Sequence, residues 1–129
     1  MSVVVDTEWR RYWEKRMADP LVDAETLKIN DQGLITELGK RPREIDEIQG
    51  QYIGLIKVRK DCVVDLKALY EAMDPGGTYD GQSYKQMYMT SFIQHAIDQG
   101  WRARAVPISN GWLEVDTIAD IELYRRMEA

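Results

Sequence analysis

The sequence predicts an α/β fold in which helices flank a mixed β-sheet. Short apolar runs alternate with segments in which apolar residues recur every three or four positions, so strands and amphipathic helices alternate along the chain. Asn, Asp and Gly cluster between two of the apolar runs, which indicates a tight turn and a hairpin. The length of 129 residues is typical of one domain with a buried core.

The first third of the chain predicts a strand, a helix and a hairpin. The β-branched run at 3–5 predicts a strand that is buried on both faces. Aromatic and apolar side chains recur on one side of 7–17, and this pattern predicts an amphipathic helix. Residues 26–29 and 34–37 flank an Asn/Asp/Gly turn and predict a hairpin.

The strongest predicted strand covers 51–58. It is nearly continuously apolar, and this pattern is typical of a strand in the middle of a sheet. Gly54 inside it indicates either a bulge or the close approach of a backbone or a ligand. The remaining predicted elements are two helices, two strands and a C-terminal helix, at 62–73, 83–99, 102–108, 112–115 and from 117 onwards.

Composition excludes several classes of function. With 17 basic and 22 acidic residues the net charge is −5, which argues against a general grip on nucleic acid. No apolar run approaches the ~18 residues of a membrane span, and there is no signal-peptide pattern, so we expect a cytoplasmic protein. One histidine, His95, and one cysteine, Cys62, exclude an internal disulfide and multi-Cys metal sites. Carboxylates, lysines and aromatic residues remain to carry the chemistry.

Asp116 is the first candidate site residue. It follows a predicted strand and precedes a predicted helix, which is where ligands bind in open α/β sheets. A carboxylate there can ligate Mg²⁺, whereas the structural alternative is a helix cap beside Thr117. Trp112, four residues earlier, can line a pocket or pack in the core.

Glu37 and Lys40 form a second group, where a predicted strand gives way to a charged loop. The lysine can bind a phosphate as a point charge, or the loop is simply solvated. Gly50 precedes the 51–58 strand and allows a ligand to approach the backbone, or it forms part of a bulge. The many Trp and Tyr residues can box a quaternary ammonium group, although each one alone is more typical of a core.

Five motifs follow one another in an order that is typical of a known family. They are Asp6-x-x-Trp9, Pro20-Leu21-x-Asp23-Ala24-Glu25, Gly39-Lys40-Arg41-Pro42, Gly50-Gln51-Tyr52-Ile53-Gly54-Leu55 and Trp112-x-Glu114-Val115-Asp116-Thr117. From about residue 3 to 127 the series resembles the C-terminal half of the nucleotidyltransferases that include phosphocholine cytidylyltransferases and sugar-1-phosphate nucleotidyltransferases. The resemblance implies a partial Rossmann-like nucleotidyltransferase fold, with 1–129 as its acceptor-binding part.

The resemblance also implies a reaction and roles for the candidate residues. The family transfers a nucleotidyl group from an NTP to a phosphorylated small molecule, with Mg²⁺ as the metal and pyrophosphate as the leaving group. By this resemblance Asp116 ligates the metal, Glu37 and Lys40 face the acceptor and phosphates, and Tyr52 and Gly54 line the acceptor pocket. The resemblance to cytidylyltransferases implies CTP as the nucleotide. The aromatic content favours an acceptor with a trimethylammonium group, such as phosphocholine, over a sugar.

The family's nucleotide-binding features are not found in this sequence. It has neither the glycine-rich loop that grips the NTP nor the family's earlier metal-binding aspartate. We therefore expect half of a domain, whose other half precedes it, lies on another chain or has been lost. The alternative is a non-catalytic module that binds a small ligand or, through an exposed sheet edge, a partner or a second copy.

Overall fold

The computed structural model describes residues 1–127. The strands, in chain order, are β1 (Ser2–Asp6), β2 (Leu27–Ile29), β3 (Ile35–Leu38), β4 (Gln51–Lys57), β5 (Thr78–Tyr79), β6 (Gln82–Ser83) and β7 (Arg104–Ile108). The helices are α1 (Trp9–Arg16), α2 (Val63–Glu71), α3 (Met89–Asp98) and α4 (Ile118–Met127). No helix in the described range is both long and apolar enough to cross a bilayer.

A three-stranded sheet with the order β4-β1-β7 forms the centre of the fold. β1 pairs antiparallel with β4 and parallel with β7, so the sheet is mixed. β2 and β3 form the predicted antiparallel hairpin. The α/β class with a mixed sheet and flanking helices is therefore confirmed.

The main core lies on one face of this sheet. Val3 and Val5 of β1 are completely buried, because alternate residues of a strand point to the same face. They pack with side chains from the hairpin, α3 and the residue before β7, namely Leu27, Ile35, Leu38, Ile93 and Ala103. The hairpin and α3 thus close one side of the sheet.

A second, aromatic core joins α1 to α4. Its buried members are Trp9, Tyr12, Trp13, Ala24, Ile48 and Tyr124. The spacing of Trp9, Tyr12 and Trp13 places all three on the inner face of α1, as the amphipathic pattern of 7–17 predicted. This cluster holds the C-terminal helix against the N-terminal one.

Two predictions about strands are wrong. β4 lies at an edge of the sheet rather than in its middle. Residues 112–115 form no strand, because tyrosine hydroxyls replace a neighbouring strand as hydrogen-bond partners. The backbone N–H of Glu114 donates to Tyr12 Oη at 2.6 Å, and the Glu114 carbonyl accepts from the Tyr124 hydroxyl.

The helix predicted over 83–99 begins only at Met89. Residues Tyr84–Gln86 form a single 3₁₀ turn, and the next residues are extended. The Tyr84 ring stacks on Tyr70 of α2 at a centroid distance of 4.7 Å. This contact joins the turn to α2 instead of to α3.

Two glycines offer a matched test of backbone strain. Gly39 and Gly54 have φ angles of +77° and +83°, so alanine at either position costs about 1 kcal/mol. At Gly39 the added Cβ would also lie 2.6 Å from the Thr90 Cβ, whereas at Gly54 nothing lies within 4 Å. We expect Gly39→Ala to lower the free energy of unfolding by about 3 kcal/mol in urea titrations, and Gly54→Ala by only about 1 kcal/mol. Equal losses would contradict the packing of Gly39 against α3.

Candidate functional site

A cleft of about 360 Å³ brings together three of the six candidate residues, Tyr52, Gly54 and Asp116. It opens beside the first half of β4, the N-terminus of α3 and the two segments 23–25 and 114–116. Its carboxylates are Asp23, Glu25, Glu114 and Asp116, and its aromatic side chains are Trp13, Tyr52 and Tyr88. The cleft is therefore strongly acidic, with partly aromatic walls.

Arg16, at the end of α1, organises the C-terminal wall of this cleft. Its side chain is 4% exposed, and it donates to Glu114 at 3.1 Å, to Asp116 at 2.7 Å and to Asp120 at 3.0 Å. Asp120 in turn accepts from the backbone N–H and the hydroxyl of Thr117, which caps the start of α4. The guanidinium of Arg16 holds the pKa of Asp120 well below its usual range. One buried cation thus sets the positions of three carboxylates.

Burial and neighbouring negative charges raise the pKa of two carboxylates of the cleft, Glu25 and Glu114. Burial raises the pKa of Glu25, and the negative charges of Asp23 and Glu114 raise it further. Burial also raises the pKa of Glu114, and the neighbouring Asp116 adds to the effect. A cation in the cleft would relieve this repulsion, so the arrangement favours a positively charged ligand group.

Asp116 lies at the mouth of the cleft with 56% of its side chain exposed. Its Oδ2 accepts from Arg16, and its backbone N–H donates to Asp120. Asp120, and not Asp116, is the residue whose carboxylate caps α4. The carboxylate of Asp116 is therefore held in place while it still faces solvent.

Tyr52 and Gly54, the two candidates in β4, lie in the same cleft as Asp116. Tyr52 packs partly against the core opposite Val5, and burial raises the pKa of its hydroxyl. The register between β1 and β4 shifts around Gly54, so the bulge that the sequence allowed is present. The residues of this irregular part of β4 line the cleft.

Lys40 and Glu37 lie outside that cleft. Lys40 pairs with Asp80 at 2.6 Å and lines an adjoining groove that shares Asp23 and Glu25 with the cleft. Glu37 pairs with Lys28 at 3.0 Å and lines neither the cleft nor the adjoining groove. Lys40 is thus a neighbour of the acidic site, whereas Glu37 is not.

Trp112 belongs to the 109–113 loop and does not line the acidic cleft. Its indole nitrogen donates to the buried carboxylate of Asp6 at 2.9 Å, and its ring meets Tyr12 edge-on at 5.3 Å. It lines a separate, mainly apolar depression of about 770 Å³. Trp112 therefore both packs against the aromatic core and lines this depression, outside the acidic cleft.

Sequence reasoning missed Arg16, Glu25 and Glu114 as individual site residues. Glu25 and Glu114 belong to motifs that the sequence displays, so a signal for them existed. Arg16 had none, because the carboxylates that it contacts lie about 100 residues further along the chain. Within residues 1–127 no three His, Cys, Asp or Glu side chains are arranged to hold a metal ion by themselves.

Comparison with known proteins gives an independent indication of the family. No family model matches the sequence. The chain is 44% identical over 123 residues to the CTP:phosphoglutamine cytidylyltransferase of Campylobacter jejuni. The alignment covers 95% of this chain and 48% of that protein, so the chain spans about half the length of the curated relative. The resemblance seen in the sequence is confirmed: this chain is a relative of part of a nucleotidyltransferase.

Proposed function

We propose that this chain is the acceptor-binding half of a cytidylyltransferase, which transfers CMP from CTP to a phosphorylated small molecule. The identity of 44% with a protein named for that reaction supports the proposal. The observation that carries it is the acidic cleft, in which Asp116 and the β4 residues Tyr52 and Gly54 come together. Residues 1–129 would form the C-terminal part of the complete domain, and the nucleotide-binding part would precede it or be supplied by another chain.

The charge of the cleft supports an acceptor that carries an ammonium group. The carboxylates of Glu25 and Glu114 have few cationic neighbours other than Arg16, so a ligand cation would neutralise them. Trp13 is only 4% exposed, and its indole nitrogen donates to Asp23 at 2.9 Å, so its ring offers little surface to a ligand. Hydrogen-bonding carboxylates therefore favour a primary ammonium over a trimethylammonium group.

Phosphoglutamine, which the relative's name gives as its substrate, carries such a primary ammonium group. Phosphocholine carries the trimethylammonium group instead. We therefore propose an acceptor of the phosphoglutamine type rather than phosphocholine. The adjoining groove suits either acceptor, because Lys40, which pairs there with Asp80, places a cation beside the acidic cleft for the phosphate.

Mg²⁺ is the metal that we propose for this site, with Asp116 as its ligand from this chain. The Asp116 carboxylate suits Mg²⁺, because Mg²⁺ prefers oxygen ligands and this carboxylate faces solvent. Mg²⁺ is commonly held by one or two carboxylates together with substrate phosphates, so one ligand from this half is sufficient. When bound, the metal would neutralise charge on the phosphates of CTP.

Positioning is the main task of this half in the proposed reaction. A phosphate oxygen of the acceptor forms a bond to the α-phosphorus of CTP, and the bond to the bridging oxygen breaks as pyrophosphate leaves with the electron pair. The carboxylates of Glu25 and Glu114 would hold the ammonium end of the acceptor, so that its phosphate points towards Asp116 and Lys40. Such orientation lowers the barrier without covalent help from the protein.

A chimera tests the proposed function. This chain is joined, in the order of the relative, to the part of the Campylobacter jejuni protein that lies outside the aligned 123 residues. We expect pyrophosphate release from CTP and phosphoglutamine by the chimera, slower release with phosphocholine, and none by this chain alone. A folded chimera that is inert with CTP and every other NTP would contradict the proposal and favour the non-catalytic alternative.

Glu25→Gln tests the ammonium site within the active chimera. Removing one charge that contacts a cation should raise the KM for phosphoglutamine about tenfold, with kcat little changed. The pKa of Glu25 is raised and its protonated form is neutral, so binding by the parent should strengthen as pH rises through that pKa. The variant should lose the part of this dependence that comes from Glu25 and keep the part that comes from Glu114, whose pKa is also raised. Glu71→Gln is the control, because Glu71 lies on α2 and pairs with Lys67 in solvent. Equal KM values for the two variants would exclude Glu25 from the site.

A further inference from the structure

The backbone of Glu25 is held by a side chain instead of by a strand. β2 begins only at Leu27, so Glu25 itself lies outside the sheets. Gln51, the first residue of β4, accepts from the backbone N–H of Glu25 through its Oε1 at 3.1 Å. Its Nε2 donates to the Glu25 carbonyl at 2.6 Å. One amide side chain therefore satisfies both backbone groups of Glu25.

Gln51 is itself firmly held. It is only 5% exposed, and its backbone is paired with that of Asp6 in the central sheet. Its Nε2 also donates to the carbonyl of Gly50 at 2.9 Å. A buried side chain whose polar atoms all have partners is rigid, because any other rotamer would leave a buried group unpaired. The central sheet thus fixes the position of Glu25 through Gln51.

The surroundings of Glu25 restrain it further. The N–H of Thr26 donates to the Lys40 carbonyl at 2.8 Å, and the N–H of Gly39 donates to the Thr26 carbonyl at 3.0 Å. The hydroxyl of the buried Thr90 donates to the carboxylate of Glu25 at 3.4 Å. That carboxylate therefore has a defined place among the groups that line the acidic cleft.

Glu114, on a separate segment of the cleft, is held in the same manner. Its backbone N–H and carbonyl are bonded to the hydroxyls of Tyr12 and Tyr124. Both glutamates that we assign to the ammonium group of the acceptor thus have their backbones fixed by side chains of distant elements. This shared feature indicates that the cleft depends on where the two carboxylates are placed.

We propose that Gln51 is a positioning residue that determines acceptor specificity, because it keeps the carboxylate of Glu25 where the acceptor's ammonium group binds. This inference rests on the proposed function. A carboxylate that is already in place loses little conformational entropy when a ligand binds, whereas a mobile one must first be ordered. A primary ammonium donates directed hydrogen bonds and depends on this placement, whereas a trimethylammonium group has no N–H to donate.

Gln51→Met tests the proposal in the active chimera, because it removes the hydrogen bonds to Glu25 while nearly keeping the side-chain volume. The readout is kcat/KM for phosphoglutamine divided by kcat/KM for phosphocholine. We expect this ratio to fall at least about tenfold, through a higher KM for phosphoglutamine and with kcat little changed. An unchanged ratio would overturn the proposal.

Gln94→Met is the matched control. Gln94 is 7% exposed, accepts from the N–H of Leu38 at 2.8 Å and donates to Asp98 at 2.8 Å, but it lines neither the cleft nor the adjoining groove. Both variants should lower the unfolding temperature by about 5–10 °C, because each leaves a buried backbone N–H unpaired. Only Gln51→Met should change the acceptor ratio. Equal changes in the ratio would show a general effect of destabilisation and would overturn the proposal.

Hydrogen exchange at the Glu25 amide tests the contact in this chain alone. We expect this amide to exchange at least about tenfold faster in Gln51→Met than in Gln94→Met. Comparison of two variants of similar stability removes the contribution of global unfolding, and equal rates would overturn the proposal. If Gln51→Met is unfolded at the assay temperature, Gln51→Asn and Gln94→Asn replace the pair, because their amides lie on side chains shorter by one methylene.

Failure of this inference can be told apart from failure of the proposed function. An active chimera whose acceptor ratio does not respond to Gln51→Met would overturn the role of Gln51 alone. An inert parent chimera would contradict the proposed function. The dissociation constants of phosphoglutamine and phosphocholine, measured by calorimetry on this chain and on Gln51→Met, then decide the role of Gln51. A ratio that falls about tenfold would support it, and an unchanged ratio or no binding would overturn it.

Discussion

We expect Arg16→Ala to lower the free energy of unfolding by about 3–5 kcal/mol, which is the usual cost of breaking a buried ion pair. The reason is geometric: the Arg16 side chain is 4% exposed, and its partner Asp120 is 8% exposed. Without Arg16, Asp120 keeps a buried charge beside Glu114 and Asp116 with no cation to compensate it. Urea denaturation followed by tryptophan fluorescence measures the loss.

Arg10→Ala is the matched control on the same helix. Arg10 and Glu14 form an exposed pair one turn apart, with 59% and 50% of their side chains accessible. Such pairs contribute about 0.3–0.5 kcal/mol, so the control should unfold almost as the parent does. If both variants lost the same stability, Arg16 would not be the organising contact that its burial indicates.

Acid provides a second measure of the Arg16 contact. The pKa of Asp120 is lowered in the folded protein, so the stability that Asp120 contributes is present above its unfolded pKa of about 4. That stability is lost as pH falls below this value and Asp120 becomes protonated. The parent should therefore lose more stability between about pH 4 and pH 2 than Arg16→Ala, in which the Asp120 pKa is no longer held down.

We expect Asp116→Asn to reduce Mg²⁺-dependent turnover by the chimera at least about 100-fold, because a neutral amide is a poor ligand for a hard cation. The fold should tolerate the change. The Asp116 side chain is 56% exposed, and Asp120 remains to pair with Arg16 and cap α4, so the free energy of unfolding should fall by no more than about 1 kcal/mol. Turnover across a Mg²⁺ titration and urea denaturation measure the two effects.

Asp61→Asn is the control for Asp116. Asp61 is also an exposed carboxylate paired with an arginine, Arg59, but it lies after β4 and lines neither the acidic cleft nor the groove beside it. Its substitution should leave turnover unchanged. Near-normal turnover by Asp116→Asn would remove Asp116 from the proposed metal site, whereas a large loss of stability would show that its role is structural.

The site could be predicted from the sequence only in part. Asp116 was singled out by its position between a predicted strand and a predicted helix, and Tyr52 and Gly54 by the family motif within the 51–58 strand. The structure does bring all three to one cleft. Trp112 was a candidate because it lies four residues before Asp116. It donates to the buried Asp6 and lines a separate depression, and no local pattern could show that it lies outside the acidic cleft. Glu37 likewise pairs locally with Lys28.

The sequence by itself determined those strands, helices and turns whose conformation depends on residues close to one another in the chain. The valine run of β1, the aromatic face of α1 and the Asn/Gly turn of the β2–β3 hairpin each encode their conformation within a few residues. The order of the motifs also identified the nucleotidyltransferase relationship, because this order can be read along the chain without knowing which residues are in contact.

Only the tertiary structure decided which surfaces meet. The apolar run of β4 predicted neighbours on both sides, yet pairing needs a second strand, and residues 1–127 supply one on one side only. Tyrosine hydroxyls from α1 and α4 took the backbone groups of Glu114 that a strand would have used. Arg16 gathered carboxylates from about 100 residues away. Such contacts join distant parts of the chain, so local periodicity carries no information about them.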